Sequence, residues 1–264
     1  MSRIGEVFHK LRKPASSMGF GFAAAAAPRR RMLLAVRFDA DAPAEAVESL
    51  LVHADVAVGV PADKDISAAF QNVAGVRPSM LAGLWVEPDL SLPDAVEDGC
   101  CDFFVCTMEG PVQILARKDM GCLVRIVPGV ESSQLRATAE LGIDALILDA
   151  ESLDLNRLSS AVECRRVHIV SGKPVVLWVR GALDAAVIGV LWRAGVDAVL
   201  VDGALGEEVL AAIRASINTA PYEARTASGG AAVVIGAHIG ALGLTEVHED
   251  ENGGGEEEDD DDDD

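Results

Sequence analysis

Gly142-Ile143-Asp144-Ala145-Leu146-Ile147-Leu148-Asp149 is the stretch that decides the architecture: a glycine, an aspartate two positions on, then an unbroken apolar run closed by a carboxylate. Glycine supplies the left-handed turn that ends a helix, the aspartate ties down the tight connection, and the run suits a strand buried on both faces. The same word stands at Gly195-Val196-Asp197 and, one residue longer, at Gly99-Cys100-Cys101-Asp102, each again just before an apolar run. Three uses of one signal mark a repeated βα unit.

Working outward, eight such runs can be counted, at residues 32–37, 56–60, 82–86, 102–106, 122–127, 145–149, 175–179 and 198–202. Between and after them, residues 43–53, 63–73, 93–97, 112–118, 132–141, 155–166, 183–194 and 207–217 read as helices, the third and fourth of them short. Apolar strands alternating with amphipathic helices build a parallel sheet with crossover connections, and eight of them close into a (β/α)₈ barrel of the α/β class. A doubly wound open sheet is the alternative fold. It lacks its usual nucleotide signal here, because no Gly-x-Gly-x-x-Gly turn follows the first run.

The chain therefore divides into a basic N-terminal extension (1–31), the barrel (32–220), a linker with an apolar Gly/Ala segment (221–244) and an acidic tail (245–264). Thirteen of the 42 acids lie in the last part, nine of them consecutive, and such a run repels itself and stays disordered. Residues 1–31 hold seven Lys or Arg against one Glu, which leaves residues 32–244 with 15 bases and 28 acids. A surface of that sign repels phosphate backbones, and with a single Tyr and three Trp there is no aromatic platform, so nucleic acid is not an expected partner. The opening residues 2–13 place Ile4, Val7, Phe8 and Leu11 on one face of a helix. Such a helix suits a peripheral membrane surface or a protein partner, but packing on the barrel's own base is the preferred reading. No segment is long enough to span a membrane, so a soluble protein is expected. The five cysteines, Cys100, Cys101, Cys106, Cys122 and Cys164, form no Cys-x-x-Cys pair and read as reduced core residues of a cytoplasmic protein.

Chemistry in such a barrel sits at the C-terminal strand ends. There the sequence offers Arg37 and Asp39, Asp63, Glu87, Glu109, Arg125, Asp149 and Glu151, Arg180 and Asp202. Glu87, Glu109 and Asp149 are the candidate catalytic acids, able in principle to work as an acid–base pair or to hold magnesium. Arg37, Arg125 and Arg180, with Gly181 and Gly203, are the candidate binders of an anionic substrate. The competing reading is an ordinary hydrophilic rim. Trp85, Trp178 and Trp192 read as core, and His53 and His168 as packing or surface residues.

Val179-Arg180-Gly181-Ala182-Leu183 and Val201-Asp202-Gly203-Ala204-Leu205 resemble the glycine turns of phosphate-binding TIM barrels, a resemblance that implies backbone N–H groups offered to a phosphate. Asp202, Glu207 and Glu208 put negative charge where that phosphate would sit. Met108-Glu109-Gly110-Pro111 and the stretch from Gly142 to Asp149 are similar to two motifs of the metal-dependent 2-keto-3-hydroxy acid aldolases and lyases. That likeness implies magnesium on a strand-end Glu and a later strand-end Asp. It is broken by an extra strand between Glu109 and Asp149 and by Ala150-Glu151-Ser152 in place of a Gly-rich turn. With no complete catalytic motif, a non-catalytic or degenerate binding or scaffold barrel is the preferred expectation, and it implies a filled barrel mouth. The alternative is a lyase-, aldolase- or isomerase-type enzyme on a small anionic metabolite, which implies a concave polar pocket there.

Overall fold

The computed structural model of the chain describes residues 2–12, 32–39, 42–61, 79–88, 101–117, 119–223 and 225. The expected helices at 63–73 and 93–97, Asp63, Gly99, Cys100, Arg29 to Arg31, the apolar segment at 231–244 and the acidic tail lie outside them. Eight strands, β1 (Leu33–Asp39), β2 (Val56–Val60), β3 (Leu81–Trp85), β4 (Phe103–Cys106), β5 (Gly121–Ile126), β6 (Ala145–Asp149), β7 (Val175–Val179) and β8 (Val196–Asp202), pair in parallel in chain order. The circle closes where β1 pairs β8 through Leu33↔Ala198 to Arg37↔Asp202. This is the (β/α)₈ TIM barrel. Around it, among the described residues, lie α2 (Ala44–Leu51), α3 (Ser132–Glu140), α4 (Leu158–Ser171), α5 (Ala185–Ala194) and α6 (Glu207–Thr219), while α1 (Arg3–Arg12) precedes the barrel. No helix among the described residues is long and apolar enough to cross a membrane.

Strand alternation sorts the apolar residues into two cores. Leu34, Val36, Phe104, Leu146, Leu148, Leu177 and Val199 face outward to the helices. Leu33, Ala35, Val56, Phe103, Leu123, Ile147 and Leu200 face the barrel axis. Gly83 is part of that inner packing, since a Cβ there would stand 2.1 Å from the Phe103 ring. Three local expectations are corrected. Residues 112–118 form only a short 3₁₀ turn, Val112–Ala116, after Pro111. The helix expected at 155–166 begins at Leu158, because Asp154 holds the preceding turn through Arg157 and the Ser160 hydroxyl, and it runs on to Ser171 before Gly172 ends it in the left-handed region. β8 starts two residues early because Val196 already pairs Val175.

The aspartates before the strands do more than tie down their own turns. Asp55, Asp102, Asp144 and Asp197 stand at the starts of β2, β4, β6 and β8. Each carboxylate accepts the backbone N–H of the neighbouring odd strand, at Leu34, Ala82, Cys122 and Val175 respectively, always at 3.0 Å. Each also takes a second partner: Arg214 on Asp55, Arg3 on Asp102, the Ser2 hydroxyl on Asp144, and both Arg12 and Arg225 on Asp197. Three of these four anchors involve the first twelve residues. The basic helix thus lies on the barrel's own base, with Ile4 and Phe8 buried in the inner core.

His168, at the end of α4, joins this base network through Arg12. Its burial first, then the nearby charges of Arg12, Arg225 and Arg165, push its pKa down from 6.5 to about 4, against the opposing pull of Asp197. The folded state therefore binds this proton less readily than the unfolded chain does. The stability it contributes is whole above pH 6.5 and is lost as the pH falls toward 4. The thermal midpoint of the wild type should decline across that window, whose upper part lies above the range where carboxylates titrate, and the decline there should flatten in His168→Gln.

Candidate functional site at the barrel mouth

The C-terminal ends of β1, β3, β5, β6, β7 and β8 bring Arg37, Trp85, Arg125, Asp149, Trp178 and Asp202 to one mouth, with Arg180 just beyond β7. At the centre the indoles of Trp85 and Trp178 meet edge to face, ring centroids 5.0 Å apart. Both are buried. The guanidinium carbon of Arg37 lies 5.0 and 5.3 Å from the two ring centroids, that of Arg125 lies 5.9 and 4.9 Å from them, and that of Arg180 stacks 3.6 Å from Trp178. A cation over an indole face is attracted by the ring quadrupole, the more so when water is excluded.

Carboxylates close the network from outside. Asp149, at the end of β6, accepts from Arg125 Nη2 at 2.7 Å and from the backbone N–H of Glu151. Asp202, at the end of β8, accepts from Arg37 Nη1 at 2.9 Å. Arg180 is held more loosely, with its nitrogens 3.4 Å from Asp149, 3.4 Å from Glu151 and 3.8 Å from Asp202. Trp85 Nε1 donates to Glu87 at 2.8 Å. Arg37 Nε, Arg125 Nε and Trp178 Nε1 are buried and make no hydrogen bond among the described residues. Each of the two guanidinium groups is thus held by one carboxylate through an Nη atom and by the indole faces.

Of the three candidate acids, Glu87 and Asp149 reach this mouth, but each is engaged by an indole N–H or a guanidinium. Glu109, after β4, is exposed and stands outside the network. Among the described residues no three His, Cys, Asp or Glu side chains gather closely enough to hold a metal ion. The donor set proposed for magnesium therefore does not fit: its best-placed carboxylate, on Asp149, already serves two guanidinium groups. Gly203 is explained by packing, since a Cβ there would meet Leu50 at 2.8 Å and the Arg37 carbonyl at 3.1 Å. Gly181 faces open space. The turn after β8 leads into α6, whose first residues Glu207 and Glu208 already place negative charge at its N-terminal dipole.

Beyond Arg180, the loops after β6 and β7 leave an open groove of about 270 Å³. Leu153, Leu155, Leu183 and Val187 line it, together with Arg180, Glu151 and Asn156. Asp184 at its edge caps α5 by accepting the Val187 N–H at 2.8 Å. The thiols contribute nothing to the mouth. Cys101, Cys106, Cys122 and Cys164 are buried, and burial pushes the Cys164 thiol up to about 12. What sequence reading missed is the indole pair. Trp85 and Trp178 look like two more core residues until the closure of the circle places β3 and β7 across the axis from each other.

No protein-family model matches the chain, and no curated protein matches it. Solved structures do. A tryptophan synthase structure from M. tuberculosis aligns with a TM-score of 0.59 at 16% identity, covering 82% of this chain and 97% of the other. Two structures of the tryptophan synthase alpha-subunit of Pyrococcus furiosus align with TM-scores of 0.55 and 0.53 at 14% and 13% identity, covering 70% and 71% of this chain and 96% of each subunit. At such identities the likeness shows the fold, and the chain is a (β/α)₈ barrel similar in architecture to these subunits.

Proposed function

We propose that this protein is a non-catalytic binding or scaffold barrel. The observation that carries the reading is the filled mouth: the space in which a barrel enzyme would seat its reacting group is occupied by Trp85 and Trp178. The arginines that would orient a substrate are spent within the chain, Arg125 on Asp149 and Arg37 on Asp202, each at hydrogen-bond distance. A charge paired in this way has little electrostatic pull left for a transition state. The buried, unlinked thiols of Cys106, Cys122 and Cys164 support a cytoplasmic setting.

The alternative is a lyase- or isomerase-type enzyme on a small anionic metabolite. Its support is the fold shared with the tryptophan synthase alpha-subunit, together with the loosely held Arg180. Phosphate binding at the turns after β7 and β8 belongs to that reading, and the carboxylates of Glu207 and Glu208 weigh against it. Thermal midpoints of the full chain against divalent metals and phosphorylated metabolites separate the two, because a ligand of the native state raises the midpoint. No rise is expected. A rise with one compound that disappears in Asp149→Asn would overturn the non-catalytic reading.

A further inference from the structure

Helix α4 is apolar on two opposite sides. Ser160, Cys164 and Val167 are buried against the barrel, while Leu158, Val162 and Ile169, spaced to fall on one stripe, face away from it and are 79%, 58% and 51% exposed. A surface helix of a closed domain keeps its outer side polar, and one that is apolar all round is covered. The stripe does not stand alone. Eight large apolar side chains lie exposed among the described residues, and six of them belong to this flank: the three of α4, Leu141 at the end of α3, Val190 on α5, and Val127 in the loop before α3. That loop reaches α4 through the Gly129 N–H, which donates to Glu163 at 2.8 Å. Together the six expose roughly 500 Å² of mostly apolar surface, and one side of a standard interface buries about 800 Å², rather more than half of it apolar.

We infer that this flank pairs two copies of the chain about a two-fold axis, with α4 lying antiparallel on its counterpart. Charge selects the occupant. Residues 131–141, 154–171 and 184–194, which carry the three helices, hold five acids and five bases, whereas residues 32–244 as a whole hold 28 acids and 15 bases. Nucleic acid or an anionic lipid surface calls for a basic face, and a basic partner for an acidic one. A neutral face on an acidic body is where two like copies repel each other least. The stripe is also self-complementary, as a two-fold contact requires. Antiparallel pairing sets Leu158 of one copy against Ile169 of the other, and Val162 against the methylene stem of Arg165, whose guanidinium can run out to the rim. Arg166, at the edge of the stripe, is held by Glu163 at 2.7 and 2.8 Å, so its charge stays paired. The assignment goes beyond the binding-barrel reading and holds whether or not the barrel catalyses.

The test is sedimentation equilibrium of the full chain from about 1 to 100 μM. A monomer–dimer equilibrium with Kd on the order of 10 μM is expected for one interface of this size. Because both copies are acidic, raising the salt from about 0.05 to 0.5 M should tighten it, by about threefold or more. Val162→Glu should weaken the dimer at least about tenfold, whereas Val52→Glu, as exposed but on α2's end, should leave it unchanged. At about 1 μM both variants should melt with the wild type, since neither side chain is buried. The register has its own readout: Leu158→Cys and Ile169→Cys, mixed, should cross-link through a short bis-maleimide more than either does alone. A monomer at every concentration would overturn the assignment and leave the flank to a different partner. A dimer that survives Val162→Glu, weakens with salt, or cross-links Leu158→Cys to itself would overturn it as well, because each places the contact elsewhere or in another register.

Discussion

Replacing Asp197 by alanine should cost about 3–5 kcal/mol of folding stability, the range for removing one partner of a buried ion pair. For a barrel of this size that corresponds to a fall in the thermal midpoint of about 10 °C or more. The carboxylate is fully buried and holds three groups at once: the Val175 N–H at 3.0 Å, Arg12 Nη2 at 2.7 Å and Arg225 Nη1 at 2.7 Å. Alanine would leave two guanidinium groups beside one another at the barrel base with a buried backbone donor unpaired. Asp197→Asn keeps an acceptor for Val175 but not the charge, and should fall between the two. Differential scanning calorimetry at pH 7 checks both. A loss under about 1 kcal/mol for Asp197→Ala, the level of an exposed ion pair, would show that the base does not depend on this carboxylate.

The same site explains why a basic helix belongs at this end of an acidic barrel. Desolvating four carboxylates at the strand starts is costly unless each is hydrogen-bonded and balanced by charge. The odd-strand amides supply the hydrogen bonds. Arg3 and Arg12 of α1 supply charge for Asp102 and Asp197, Ser2 supplies a hydroxyl for Asp144, and Arg214 of α6 serves Asp55. Ile4 and Phe8, one turn apart, are then carried into the inner core. The contact commits the apolar face of α1 to the barrel, so a membrane surface or partner groove would have to compete with it.

Eight strands were legible from composition and spacing because a buried parallel strand must be apolar throughout, whatever its neighbours. The signal Gly-x-Asp marked three of the four base carboxylates. Asp55 escaped it because its turn, His53-Ala54-Asp55, carries no glycine, and the helix before it ends without a left-handed residue. Strand-end position correctly gathered Arg37, Arg125, Asp149, Arg180 and Asp202. It said nothing of their pairing, which depends on register around a closed circle. Glu109 shows the same limit from the other side: it follows a strand end, yet the chain turns it outward into solvent. A pattern with period two can say which face a residue takes. It cannot say which residue stands across the axis.

Truncating Trp178 to alanine should therefore be felt well beyond one side chain. Large-to-small changes of a buried tryptophan cost about 3–5 kcal/mol. Here the indole also lies against Trp85 and under the guanidinium groups of Arg37, Arg125 and Arg180. Its removal would open the mouth to water and expose Trp85, whose emission should shift to longer wavelength, a change readable in a Trp192→Phe background. Trp178→Phe should cost much less, about 1 kcal/mol, because the indole N–H it removes is buried without a hydrogen-bond partner among the described residues and returns little on folding. Glu109→Gln, at the exposed candidate acid, should stay within about 0.5 kcal/mol of wild type. If Trp178→Ala were as mild as Glu109→Gln, the mouth would not be a packed plug, and the case for a barrel that binds without catalysing would lose its main support. The expected order, with the alanine variant far below the phenylalanine variant, would mean that the residues resembling an active site in the sequence act as the closing layer of the core.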